Sequence, residues 1–175
     1  MTGAELAVAA GAAVLVFWFV GAYNRMVRLR NALVSRFAGV DDLYGRRRAL
    51  IEEQLEVLSA ALASAGPRLD ALRAACRQAD AARAHARVRP GAPGAITSLR
   101  VAEEILADAR ARLPVQSAAG VDLPQLNTRL AESDNALGFA RREFNQAVDA
   151  YNQAIRQFPT TLLARLFGFR PAATF

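Results

Sequence analysis

The chain contains no lysine: all 22 of its basic residues are arginine, against 16 acids, for a net charge of +6. Reactive side chains are equally few, with one cysteine, Cys76, and one histidine, His85. A lone cysteine excludes an internal disulfide and any cysteine-built metal cluster. A lone histidine excludes the paired Glu-x-x-His elements of di-iron bundles. Without lysine, the turn Arg89-Pro90-Gly91-Ala92-Pro93-Gly94 lacks both the residue and the spacing of a phosphate-binding loop, so it reads as a connector. Adjacent acids, Asp41-Asp42 and Glu103-Glu104, diverge by ~100° on a helix and do not converge on one substrate. The expectation is a non-enzymatic protein with no cofactor, no metal and no small-molecule substrate.

Aromatics make up only 7% of the chain, and β-branched residues are sparse beside Ala, Leu and Arg. That composition favours helix. The arginine excess does not single out nucleic acid, which is an unlikely partner. Arg46-Arg47-Arg48, for example, is followed by Glu52, Glu53 and Glu56, the interleaving of a solvated helix face rather than a basic patch. Cys76 shares a helical face with Leu72 and Ala79, so it reads as a small buried apolar residue and not a reactive thiol.

What the chain does have begins at its N-terminus. Leu6 to Ala22 carries no charge, and the apolar stretch through Tyr23 is long enough to cross ~30 Å of hydrocarbon. Leu6, Val14, Phe17, Trp18 and Phe19 are expected to face lipid, with Trp18 and Tyr23 toward one interface. No positive charge precedes the run, which argues against a signal peptide. Arg25, Arg28, Arg30 and Arg36 follow it without an intervening acid, so the positive-inside rule puts the N-terminus outside and the rest of the chain in the cytoplasm. These arginines can also attract anionic headgroups.

Beyond the span, Leu33, Phe37, Val40, Tyr44, Ile51, Leu55, Leu58 and Leu62 form one helical stripe, broken around Arg47 and Arg48. This helix is expected to run to about Ala65, with Gly39 and Gly45 marking close packing and Gly66-Pro67 ending it. A second helix covers 67–87, with Leu69, Leu72, Cys76 and Ala79 inward. Thr97 or Ser98 caps a third, carrying Leu99, Ala102, Leu106, Ala109 and Leu113, and Pro114 stops it. Residues 115–121 form a loop, and Asp122 caps a fourth helix with Pro124 in its first turn. That helix carries the most regular stripe, Leu137 to Phe158, before Pro159. The predicted fold is all-α: a transmembrane helix over 1–23, an antiparallel bundle of about four helices over 24–159, and an apolar and basic tail over 160–175.

Alternating directions bring the fourth helix back toward the bilayer. Arg165, Phe167 and Phe169 then join Arg25, Arg28 and Arg30 as candidate lipid contacts, unless the tail folds back onto the bundle. Phe144, Asn145, Tyr151, Asn152 and Phe158 are the candidate bundle seam. Asn145 and Asn152 lie seven apart on one face, where an amide can fix register through backbone or a facing side chain.

Several short elements carry a resemblance. Tyr23-Asn24, Val27 and Leu29-Arg30-Asn31 open the domain, and Phe139-Ala140-Arg141-Arg142-Glu143-Phe144-Asn145-Gln146-Ala147-Val148 closes it. Tyr151-Asn152, Ile155, Phe158-Pro159 and Gly168-Phe169 then follow in order. The series resembles the LemA family, most clearly over the anchor and the first and last helices. After Leu50-Ile51 the chain continues Glu52-Glu53 instead of the family's usual Pro-Asn. The resemblance implies a single-pass bacterial inner-membrane protein with a long antiparallel helical domain and little chemistry of its own. It also implies a membrane-organising role for at least one related branch. The expected partners are the membrane and either another membrane protein or a second copy of the chain. The leading expectation is a scaffold at the cytoplasmic face; the alternative is direct organisation of anionic lipid.

Overall fold

The computed structural model describes residues 2–61, 66–113 and 123–175. Five helices follow in order: α1 (Gly3–Ala61), α2 (Gly66–Val88), α3 (Pro93–Ala111), α4 (Leu123–Arg156) and α5 (Thr160–Leu166). No strand occurs among the described residues. The protein is an all-α bundle entered through a long apolar helix.

α1 is one unbroken helix of 59 residues, ~90 Å long at 1.5 Å per residue. The boundary expected at 23/24 leaves no break in its backbone. Its N-terminal portion contains an 18-residue apolar window of which nothing is buried, long enough to cross a bilayer. From Met26 onward the same helix turns one face inward. Leu33, Phe37, Val40, Tyr44, Ile51, Leu55 and Leu58 are all buried, as their spacing requires. Leu62, the expected end near Ala65, Pro114, the 115–121 loop and the Asp122 cap lie outside the described residues.

One expected helix boundary holds and one is corrected. Pro67 stands at the start of α2, as expected, with Gly66 already in that helix, whereas Pro93-Gly94, expected in the connector, opens α3. Proline suits a first helical turn because its missing N–H would be unpaired there and its φ is already helical. Thr97 and Ser98 therefore lie inside α3, whose N-cap is Ala92 without a side-chain hydrogen bond.

The pairings fix the topology. Arg36 meets Glu143, Arg47 meets Asp134 and Arg129 meets Glu53, so α1 and α4 run antiparallel. Arg83 meets Asp41 and Arg48 meets Asp80, so α1 and α2 do too. α3 leads away from the span again and α4 returns. The apolar interior falls into two clusters. The span-proximal one gathers Met26, Phe37, Val40, Leu99, Leu137, Phe144 and Val148. The distal one gathers Ile51, Leu58, Leu72, Cys76, Leu106, Leu126 and Leu130.

Gly45 is tightly packed: a Cβ there would meet the Arg83 guanidinium at 3.1 Å. Gly39 is not, since nothing lies within 4 Å of the same position, which corrects the expectation of close packing there. Gly91 is required for two reasons. Its φ is +84°, and a Cβ would press on the Ala172 Cβ at 3.0 Å and on Leu33 at 3.3 Å.

Candidate functional site

The span-proximal end of the bundle combines most of the residues singled out from the sequence. Leu6, Val14, Phe17 and Trp18 are exposed along α1, while Phe19 is half-buried. Arg25, Arg28 and Arg30 follow, all exposed. α4 ends at Arg156, and a turn through Phe158-Pro159 starts α5, which lies back against the end of the apolar stretch. There the Phe167 ring contacts Phe19 at 5.8 Å and Tyr23 at 4.9 Å between centroids. Leu163 and Ala164 of α5 face the core, whereas Leu162, Arg165, Leu166 and part of Phe167 face outward. An exposed apolar surface therefore runs alongside the exposed apolar helix, at the level of its interfacial rings.

Two expectations are corrected here. Phe158 is 84% exposed and belongs to this outer surface, not to the bundle seam. The helical period ends at Arg156, so Phe158 no longer follows the stripe that buries Tyr151 and Ile155. Phe169, a candidate lipid contact, instead packs against Tyr23 and the proximal core. The tail is thus divided: α5 turns Leu162, Arg165 and Leu166 outward, and the segment after Gly168 folds back.

That returning segment explains the asparagines. Asn152 Nδ2 donates to the Ala172 carbonyl, and the Ala172 N–H donates to Asn152 Oδ1, both at 2.8 Å. The Phe175 N–H donates to Asn145 Oδ1 at 2.9 Å. The Tyr151 hydroxyl donates to the Arg170 carbonyl at 3.0 Å, and the Ala173 N–H to the Gly91 carbonyl at 2.9 Å. Both amides do occupy one face of α4, but they hold an extended tail rather than a neighbouring helix. Their side chains supply the pairing that an extended segment outside any sheet otherwise lacks. The tail ends with the Phe175 ring on Phe144, at 5.3 Å, which itself packs edge-on against Phe37.

Between the two apolar clusters lies a layer of charge. Arg47 points inward from α1 and donates to Glu103 of α3, both side chains being about nine-tenths buried. Arg47 also reaches Asp134 at 3.3 Å, which Arg110 binds at 3.0 Å. Arg141 of α4 donates to the Tyr44 hydroxyl at 2.6 Å and to Glu103 at 3.3 Å, its guanidinium lying over the Tyr44 and Phe175 rings. Burial pushes the Tyr44 phenol up to about 12, with Arg141 opposing that rise. Burial likewise works against the charge on Arg47, but Glu103, Asp134 and Tyr44 together outweigh it and hold the guanidinium above its ordinary value. At the rim, burial would raise the Asp41 carboxyl, yet hydrogen bonds from Arg87 and Arg83 keep it below the usual value. Cys76 is fully buried, and burial raises its thiol. Among the described residues no cluster of metal-ligand side chains occurs.

A family model, that of the LemA family, matches residues 36–175. The chain belongs to the LemA family. No curated protein matches it. The family match takes in the bundle, the charge layer, α5 and the folded-back tail, while the apolar start of α1 precedes it. This LemA chain is accordingly a helical protein with an apolar N-terminal helix fit for membrane anchoring.

Sequence reasoning missed the charge layer, although its signal was present. Arg47 stands three residues after Tyr44 and four before Ile51, on the stripe rather than beside it. An arginine at a core position requires a buried acid, and Glu103 lies next to Ala102 on the inner face of α3.

Proposed function

We propose that this LemA chain is a non-enzymatic, membrane-anchored interaction protein. Its bundle stands on the cytoplasmic side of a bacterial inner membrane, with the N-terminus outside. The observation that carries this reading is the continuity of α1, in which the apolar helix and the first helix of the bundle are a single rod. A rod of that kind holds the other helices at a set height and orientation above the bilayer, which suits presentation of a surface. The exposed arginines at 25, 28 and 30 support the orientation through the positive-inside rule.

A second reading has its own observation. Leu162, Leu166 and Phe158 are exposed, and the partly exposed Phe167 lies against Phe19 and Tyr23. With Arg165 and the juxtamembrane arginines, they form an apolar and basic surface suited to anionic lipid. In this reading the protein organises the bilayer directly.

One experiment separates the two. A photoreactive residue is placed at 139 or at 166 in the full chain, in native membranes. The interaction reading expects protein adducts from 139; the lipid reading expects lipid adducts from 166. Loss of either product class eliminates the corresponding role. Orientation is checked by labelling Thr2→Cys and Arg100→Cys with an impermeant maleimide. Label on Arg100→Cys in intact cells would reverse the assignment.

A further inference from the structure

The face of the bundle formed by α1 and α4 carries an open groove of about 520 Å³, lined by Ser35, Arg36, Gly39, Leu43, Phe139 and Glu143 among others. Above the span-proximal end, Phe139 is the one exposed aromatic among the described residues, at 57%. Beside it the groove floor is small: Ser35 and Gly39 on α1, Ala136 and Ala140 on α4, with open space where a Gly39 side chain would stand. Arg36 and Glu143 bridge the groove at 2.8 Å and keep much of their surface in solvent, 55% and 35%.

We propose that this groove is the contact surface between two copies of the chain, related by a two-fold axis along the membrane normal. The inference deepens the interaction reading above and rests on α1 being a bilayer span. Two copies anchored in one bilayer with the same orientation can be related only by an axis along that normal. Such an axis runs nearly parallel to the bundle helices. It lays α1 of each copy over α4 of the other at equal height. The pattern on the face then becomes self-complementary. Arg36 comes opposite Glu143 of the second copy, since the two already share one height within a chain. The four charges alternate in sign around the axis. Phe139 comes opposite the small-residue floor of the other α1, within about one turn of Gly39. A knob and a notch on one patch satisfy each other in an isologous pair; within a single chain Phe139 meets the Arg142 guanidinium but stays over half exposed, and the notch at Gly39 is open. Confinement to the bilayer raises the effective concentration of copies, so a modest patch suffices.

The test uses the full chain, expressed in membranes as two differently tagged copies and co-purified in mild detergent. Wild-type copies are expected to co-purify. Arg36→Glu alone and Glu143→Arg alone each bring like charges together across the axis, and each is expected to lower self-recovery about tenfold. A cell expressing one copy with Arg36→Glu and one with Glu143→Arg restores opposite charges at both contacts. The introduced glutamate of the first copy faces the introduced arginine of the second, and the remaining native Arg36 faces the remaining native Glu143. The mixed pair is therefore expected to recover. A purely intramolecular role for the ion pair predicts no such recovery, because the pair stays broken inside each chain. Phe139→Ala is expected to lower recovery about tenfold with helicity unchanged by circular dichroism, since the ring is exposed. The inference is overturned if wild-type copies do not co-purify, if the single reversals associate like wild type, or if the mixed pair recovers no better than either single. A foreign protein crosslinked from 139 in a monomeric chain would overturn it while leaving the interaction reading intact. Release of the wild-type chain from membranes by alkaline carbonate would remove the reading on which it rests.

Discussion

Replacing Glu103 by leucine tests whether the charge layer holds the bundle together. The substitution keeps the volume near the original and removes the one carboxylate that binds both Arg47 and Arg141. Arg47 then retains only Asp134 at 3.3 Å, and that acid is 39% exposed. Breaking a buried pair by removing one partner costs about 3–5 kcal/mol, because a desolvated charge is left behind. The residual contact to Asp134 puts the expected loss at the lower end, ~3 kcal/mol. For a chain of this size that is a fall in Tm of roughly 9 °C. The double variant Arg47→Met with Glu103→Leu removes both charges, and its expected stability lies within ~1 kcal/mol of wild type. The measurement is loss of ellipticity at 222 nm on heating and in denaturant, with the full chain in detergent. The reasoning is refuted if Glu103→Leu costs under ~1 kcal/mol. It is refuted equally if the double variant is no more stable than the single, because the two charges are then not coupled.

The tail and the tyrosine supply two more predictions. Asn152→Leu removes both hydrogen bonds to Ala172 and is expected to cost ~1–2 kcal/mol. Hydrogen exchange at Ala172 and Ala173 should accelerate while the α1 and α4 amides stay protected; unchanged tail exchange would show that Asn152 does not hold it. Tyr44 is favoured in its neutral form by the fold, because its pKa is raised from 10.0 to about 12. Its contribution to stability is complete below pH 10.0 and is lost as pH rises toward about 12. Phenolate absorbance at 295 nm should therefore lose a late-titrating component in Tyr44→Phe, and that variant should resist alkaline unfolding better than wild type. A missing component that titrates near pH 10.0 would contradict the assignment.

Two different kinds of force organise the molecule. The apolar clusters on either side of Arg47 are non-directional and would tolerate a helix sliding by a turn. The charge layer is directional. Arg47 and Tyr44 from α1, Glu103 and Arg110 from α3, and Asp134 and Arg141 from α4 interlock over about two turns of helix. A slip of one turn would leave buried guanidinium groups without carboxylates, so the layer sets register where the apolar packing does not.

The sequence by itself determined the helical class, the apolar opening helix and the buried stripes from Leu33 to Leu58 and from Leu137 to Ala154. Periodicity carries that information, because a helix turns each residue by a set angle and apolar residues must avoid water wherever the neighbours are. It also placed Pro67 at the start of the second helix, but left Pro93 in a connector where the fold starts α3. Tertiary structure decided everything that depends on which residues far apart in sequence meet. Asn145 and Asn152 lie on one face in any helix, but only the returning tail makes them ligands for Ala172 and Phe175. Phe158 looked like the next step of a stripe, and the turn before Pro159 moved it to the surface. Arg47 looked like a flaw in the stripe until Glu103, from another helix, supplied its countercharge. Hydrophobic burial is a property of each residue and can be read along the chain, whereas a hydrogen bond or an ion pair belongs to two residues and is settled only by the fold that joins them.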